Sequence, residues 1–313
     1  MLAYILKRIA AVIPVMLLVA VFVFLLLRLT PGDPAAIIAG DAATPAQLER
    51  IREAMGLNQP IHIQFIAWMG SLLQGDLGVS LISGVPVIDM MSQRLGPTIS
   101  IALLTIVISV VLAIPMGVAA AWRRGSWVDY CVMSFSVLGF SMPVFLVGYL
   151  LLLLFAVNLG WLPVQGFTPI SKGILPFLER AILPALTLAS IYIALIARMT
   201  RASMLEVLSE DYVRTARAKG AGERRVLFTH ALRNAAIPIV TIVGTGFALL
   251  ISGVVVTESI FNIPGIGRLT VDAVLARDYP VIQAMILLTS AIYVLINLLI
   301  DISYTLFDPR IRY

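Results

Sequence analysis

Apolar residues run in long, nearly uncharged blocks along this chain, and short polar stretches separate them. A helix that crosses a bilayer needs about 20 mostly apolar residues. Six blocks qualify, near 9–28, 98–121, 130–157, 182–198, 235–257 and 280–304. The first carries no charge from Ile9 to Leu27, a run longer than the ~7–15 residues of a signal-peptide core. Arg28-Leu-Thr-Pro-Gly-Asp-Pro34 follows it in place of a small-residue cleavage site, so the block reads as a retained helix.

Two of the connections have patterns of their own. In segment 29–97, Thr44 offers an N-cap, Pro45 a first helical residue and Gln47 a capping-box partner. That helix should stop at Gly56. A second should follow Pro60, with Ile61, Phe65, Trp68 and Leu72 on one apolar face suited to a membrane interface. In segment 199–234, Leu205, Leu208, Tyr212 and Ala216 share a predicted helix face, with acidic residues early and basic residues late. Glu210 and Arg214 stand at i,i+4 and are expected to pair. Gly220-Ala-Gly222 should break that helix, and Val226, Leu227, Ala231 and Leu232 mark one side of a second, before Pro238 opens the next span. Two short helices about a glycine turn would form a compact knob.

Composition agrees with this architecture. The chain of 313 residues is 60% hydrophobic and 12% charged, against roughly 25% charged in soluble domains, and its mean hydropathy is +1.00. The expected fold is an all-α polytopic bundle of six transmembrane helices forming one domain over residues 1–313. The net charge of +5 does not indicate nucleic acid, because the basic residues lie at the ends of apolar spans. An even number of spans puts both termini on one side. Placing them in the cytoplasm puts fourteen of the 22 basic residues there, including Lys7, Arg8, Arg123, Arg124, Arg310, Arg312 and the eight between Arg198 and Asn234. That distribution satisfies the positive-inside bias.

Little here is chemically reactive. The phosphate-binding pattern G-x-x-x-x-G-K-[ST] is absent. His62, His230 and the single Cys131 are far apart in sequence, which suggests neither a metal site nor a nucleophilic pair. No catalytic residue is expected. Polar side chains inside spans are costly unless they face protein or water. Thr289, Tyr293, Asn297 and Asp301 repeat every four residues in the last span. They either line a passage or glue helices together. Gly244 and Gly246 would permit close helix approach. Phe261-Asn-Ile-Pro-Gly-Ile-Gly267 is uncharged and turn-prone, so it must lie outside the bilayer or against protein. Phe261, Pro264 and Gly265 are the candidates there for an outer gate, with structural packing as the other reading.

On residues alone, the basic loop reads equally as a lipid-binding linker or as a docking site. The stretch Asp211-Tyr-Val-Arg-Thr-Ala-Arg-Ala-Lys-Gly220 resembles the loop of ABC-transporter permease subunits whose general pattern is Glu-Ala-Ala, three residues, Gly, nine residues, Ile-x-Leu-Pro. The slots here hold Arg214-Thr215-Ala216, Gly220 and His230-Ala231-Leu232-Arg233, so the glutamate and the proline are replaced. This departure is similar to the dipeptide, oligopeptide and nickel importer branch. Ile5-Leu-Lys-Arg8, Leu29-Thr-Pro-Gly-Asp-Pro34, Gly75-Asp-Leu-Gly78, Ser141-Met-Pro143, Phe261 to Gly267, Arg277-Asp-Tyr-Pro280 and Asp308-Pro-Arg-Ile-Arg312 resemble the B-type subunit of that branch, in order along the chain.

The resemblance implies a type I importer permease in the bacterial inner membrane. It further implies a second, homologous permease subunit, two cytoplasmic ATPase subunits that use ATP and Mg, and an extracytoplasmic solute-binding protein, with no cofactor on this chain. The helices of segment 29–97 would then either cover the bundle or help dock that binding protein. Carried over position by position, Asp211, Tyr212, Thr215, Ala216 and Gly220 should meet the ATPase, flanked by Arg214, Arg217 and Lys219. Dipeptides, oligopeptides, glutathione and nickel complexes all stay open as substrates. A stand-alone secondary transporter would need coupling acids, of which Asp301 is the one candidate. A non-transporting scaffold or receptor would use the basic loop for lipid or signalling partners.

Overall fold

The computed structural model describes residues 2–29, 34–39, 44–54 and 56–307. Long helices dominate: α1 (Leu2–Leu29), α5 (Val87–Trp122), α8 (Ile174–Leu208), α11 (Ala236–Gly253) and α14 (Tyr279–Phe307). Before α5 lie α2 (Pro34–Ala39), α3 (Pro45–Ala54) and α4 (Ile61–Leu73). Between α5 and α8 run α6 (Trp127–Ser141) and α7 (Val144–Leu151), the latter continued by a π-helical turn over Leu152–Asn158. Short helices α9 (Asp211–Ala218) and α10 (Glu223–Arg225) precede α11, and α12 (Val255–Ile260) and α13 (Ile266–Ala276) precede α14.

Among the described residues, four helices are long and apolar enough to cross a membrane, and two bent pairs bring the number to six if each pair counts as one span. The block expected at 130–157 is one of these pairs, bent by 104° between α6 and α7. Pro143 supplies no N–H and pushes Met142 to extended backbone (φ −82°, ψ 130°), which ends α6. Two helices extend beyond the expected spans. α5 starts at Val87, not near 98, and α8 covers 174–208, not 182–198, so residues 199–208 belong to a helix and not to the loop. Hydropathy marks where a helix meets lipid. A helix continues past that zone wherever its residues favour it.

Small residues set the packing. α8 is the central helix, contacting α5 most extensively and also α6, α7 and α11. A Cβ on Gly117 would lie 2.6 Å from the Ala197 carbonyl oxygen and 2.6 Å from Thr200 Cβ, so α5 and α8 touch there almost backbone to backbone. A Cβ on Gly244 would overlap Ile300, and one on Gly246 would lie 2.8 Å from the Tyr192 ring, so both allow close approach of α11 to its neighbours. At one end of the bundle Arg8 on α1 pairs with Asp301 on α14 at 3.0 Å. Near the other end of α1, Phe24 packs edge-on against Phe65 of α4, with centroids 5.3 Å apart. The Thr44–Gln47 capping box is present, with Thr44 N donating to Gln47 Oε1 at 2.9 Å and Gln47 N to Thr44 Oγ1 at 3.3 Å.

A buried carboxylate organises the end opposite the loop of residues 209–235. Glu258 is fully buried on α12. Its Oε1 accepts from the Thr98 hydroxyl at 2.6 Å and its Oε2 from Arg268 N at 2.8 Å. Thr98 Oγ1 in turn accepts from Ile266 N at 2.9 Å. The N-terminus of α13 is therefore capped by a side chain from α12 and another from α5, where the helix dipole favours a negative group. A Cβ on Gly265 would overlap the carboxylate, which is why glycine precedes this helix. Burial raises the Glu258 pKa, and the Thr98 hydroxyl, the backbone N–H groups of Arg268 and Gly267, and the Arg94 charge offset only part of that.

Gly117→Ala should destabilise the purified protein by about 1–3 kcal/mol through overpacking. Gly96→Ala, with open space around the new methyl, should not. Thermal unfolding in detergent separates the two. Because Glu258 has its pKa raised in the fold, the stability present below its ordinary value of 4.5 is lost as pH rises through the folded value. Glu258→Gln cannot ionise, so its melting temperature relative to wild type should climb as pH goes from ~4 to ~8. A wild type that gains on the variant over that range would show instead that the charged form stabilises the fold.

Candidate functional site

The loop between α8 and α11 folds as a knob standing on a small apolar base. Val118 and Ala121 of α5, Met204 of α8 and Leu227, Ala231, Ala235 and Ile239 form that base. The sequence pattern placed Leu205 and Leu208 on one helix with Tyr212 and Ala216, but the helix breaks at Ser209 and Glu210. The first two residues belong to α8 and the other two to α9. Ser209 donates its hydroxyl to the Glu206 carbonyl at 2.6 Å, a local bond that competes with helix continuation. Glu210 becomes the N-cap of α9, so its expected pairing with Arg214 is not made. Arg214 lies 3.3 Å from Asp211 instead.

α9 ends where Gly220 turns. Gly220 has φ +83°, its N–H donates to the Arg217 carbonyl at 2.9 Å, and Ala221 N–H donates to the Ala216 carbonyl at 3.1 Å. This is a Schellman termination, which needs a left-handed residue at the position glycine occupies. Arg217 then closes the turn on Glu223, Nε to Oε1 at 2.9 Å and a second N–H to Oε2 at 3.3 Å. The chain continues through α10 into a π-helical turn over Val226–Ala231, and Val226, Leu227 and Ala231 face inward as their spacing predicted.

α9 is held on one side and free on the other. Val213 is completely buried, and Tyr212 accepts a hydrogen bond from Asn234 Nδ2 at 2.9 Å, which fastens α9 to the turn before α11. Asp211, Arg214, Thr215, Arg217, Lys219 and Gly220 are exposed, and Ala216 is half-buried. Phe228, which the sequence reading did not single out, is 52% exposed beside Arg224 and Arg225. Its signal lay in the sequence, since it falls off the apolar side defined by Val226, Leu227 and Ala231. The knob thus presents a charged face with two exposed aromatics, Tyr212 and Phe228.

The other candidates lie elsewhere. On α14, Thr289 Oγ1 donates to the Met285 carbonyl at 2.9 Å and Asn297 Nδ2 to the Tyr293 carbonyl at 2.9 Å, while Tyr293 is 44% exposed. Asp301 pairs with Arg8, which places this acid in a contact between α14 and α1. Phe261 is buried and its carbonyl accepts from Gly166 N at 2.9 Å. Gly265 is buried over Glu258, and Pro264 is exposed. Nearby, the Gly75–Gly78 and Arg277–Pro280 words meet. Asp278 accepts from the Ser80 hydroxyl at 2.5 Å and from Leu81 N at 3.1 Å, and Gly78 approaches Pro280.

Comparison with known proteins fits this geometry. Residues 113–313 match the family described as binding-protein-dependent transport system inner membrane component, and residues 1–102 match its N-terminal companion family. A probable peptide ABC transporter permease of Sinorhizobium fredii is 56% identical over 310 residues, 99% of each chain. The glutathione transport system permease of Salmonella paratyphi A is 45% identical over the full length of both chains. Among solved structures, the MetNI methionine ABC transporter in an inward-facing form shares the fold, with a TM-score of 0.58 at 16% identity, covering 71% of this chain and 97% of that one. The chain belongs to the family of binding-protein-dependent transport system inner membrane components, as a multi-pass permease subunit of an ABC importer.

Proposed function

We propose that this subunit carries peptides, or small solutes with a peptide backbone, and that α9 is where the force of ATP hydrolysis enters it. Relatives named for peptide and for glutathione transport support the solute class. The observation that carries the mechanical role is the knob itself. A short amphipathic helix is held by its buried Val213 and by the Tyr212–Asn234 bond to the turn before α11, and it leaves its charged face open.

In this reading the knob end is cytoplasmic, both termini lie on that side, and α9 sits in a groove of an ATPase subunit. The chain is non-catalytic and pairs with a second, different permease subunit, each contacting one of two ATPases. A binding protein delivers solute at the opposite end. ATP binding draws the ATPases together, the knobs follow as rigid bodies, and the bundle changes its open side. Phe261, Pro264 and Gly265 form part of the outer gate, where α13 hangs from Glu258 and Thr98. Of the α14 stripe, the half-exposed Tyr293 is the residue placed to meet a passing solute.

Ala216→Asp or Gly220→Asp should leave the protein in the membrane and abolish transport. The check is uptake of a radiolabelled dipeptide and of glutathione by cells carrying the whole system, with immunoblots of membranes for insertion. Normal uptake with either substitution would overturn the role of α9. Uptake of neither probe by the unmodified system, with its binding protein retaining a different solute class, would overturn the substrate reading alone.

A further inference from the structure

We infer that Asp129 and Arg201 form a clamp that makes α6 move with α8, so that displacement of α9 is passed to a second helix. This rests on the reading of α9 as the ATPase contact. Arg201 Nε lies 2.5 Å from Asp129 Oδ1 and its NH2 lies 2.8 Å from Oδ2, a two-pronged pairing that fixes orientation as well as distance. The carboxylate side chain is 5% exposed and the guanidinium 22%. Oδ2 also accepts from Gly125 N at 2.9 Å. One carboxylate therefore ties together the turn after α5, the first turn of α6 and the end of α8.

The position of the pair gives it mechanical meaning. Arg201 stands seven residues before the end of α8, about 10 Å along the helix axis, and α9 follows after Ser209 and Glu210. Just before Arg201 on α8, Thr200 and Ala197 meet Gly117 of α5. At this level α5 is held to α8 by close packing that resists sliding. α6 turns away toward α7 at Met142, with a bend of 104°. α6 packs on α8 higher up through Gly139, where a Cβ would lie 3.1 Å from the Ser190 carbonyl oxygen. Phe140 of α6 also meets the Arg198 guanidinium of α8 at 5.7 Å, and Val132 packs in an apolar cluster with Ile196 and Ala197. The ion pair adds to these the charged, two-pronged attachment at the start of α6, which opposes pivoting about the contacts farther along the helix. Asp129 is thus a positioning residue whose partner lies on the helix that leads to the knob.

The test needs no knowledge of the solute. Spin labels at Tyr130→Cys and Ala202→Cys, both exposed positions, are introduced with Cys131→Ser into the complete complex with its ATPases. Pulsed dipolar distances are then recorded without nucleotide and after trapping with ATP and vanadate. With the clamp intact, the α6–α8 distance should be the same in both states. With Asp129→Asn, trapping should move it by more than the ~1–2 Å of ordinary helix shifts or at least double the width of the distribution. Exchange of the two groups, Asp129→Arg with Arg201→Asp, should restore the invariant distance. Arg201→Lys, which keeps the charge but loses the fork, should fall between.

An unchanged distance in Asp129→Asn would overturn the clamp. So would loss of the ATPase subunits from the purified variant complex, because the pair would then act on docking. Failure of both Asp129→Asn and Arg201→Lys to assemble would overturn it as well, reducing the pair to a folding contact. Normal uptake by Ala216→Asp would instead remove the underlying reading of α9, and that outcome is read on different variants.

Discussion

In an apolar solvent no backbone N–H or C=O can be left to water, and this constraint decides where the chain is allowed to stop being helical. The segment after α12 illustrates it. Phe261 gives its carbonyl to Gly166, Ile263 N donates to the Glu258 carbonyl at 2.8 Å, and Gly265 N donates to the Ile263 carbonyl at 2.9 Å. The residues Phe261, Ile263, Gly265 and Ile266 are buried while doing so. The N–H groups of the buried residues in this irregular stretch are answered from inside the protein. The bend at Met142 and Pro143 follows the same rule, since Met142 N still donates to the Leu138 carbonyl at 3.0 Å and Pro143 has no N–H to satisfy.

The same constraint explains why rigidity is concentrated in helix contacts through glycine and at two polar knots. Lipid offers apolar side chains no reason to prefer protein over tails, so close packing and polar pairs must hold helices together. Gly117 against Ala197 and Thr200 is the packing solution. Asp301 with Arg8 and Asp129 with Arg201 are the polar one, both where the helices end and water can solvate what is left over. Each such pair constrains two helices that are distant in sequence, which is what a structure that must move as a few rigid bodies requires.

Much of this architecture can be read from the chain, and what cannot has a common cause. Blocks of apolar residues locate the helices because burial in lipid is a property of each block alone. Local caps are equally legible, since Thr44 and Gln47 are three residues apart and the Gly220 turn lies within one short segment. The ends of α5 and α8 lie beyond the apolar blocks because hydropathy follows the lipid and not the hydrogen-bond ladder. The Glu210–Arg214 pairing failed because a break one residue earlier turned Glu210 into a cap. Glu258 and Asp129 gave no signal at all, and Asp278 stood out only as part of the Arg277–Pro280 motif, with nothing to name its partner. Their partners Thr98, Arg201 and Ser80 lie 160, 72 and 198 residues away, and nothing in a spacing pattern links residues so far apart.

Two of those carboxylates make an instructive contrast. Asp129 and Glu258 both stand near helix N-termini and both are buried, yet they are satisfied differently. Asp129 faces a guanidinium from another helix, so its charge is neutralised by a group that can be carried away when that helix moves. Glu258 faces a hydroxyl and backbone N–H groups, fixed dipoles that travel with α5 and α13, and the Arg94 charge is the smallest of the influences on it. A charge–charge contact resists separation over a longer range than a hydrogen bond to a dipole, because Coulomb attraction between full charges decays more slowly with distance. Asp129 therefore suits a joint that keeps α6 and α8 together over a range of separations. Glu258 suits a short-range catch at the opposite end, intact while α13 is in place and weak once it has shifted.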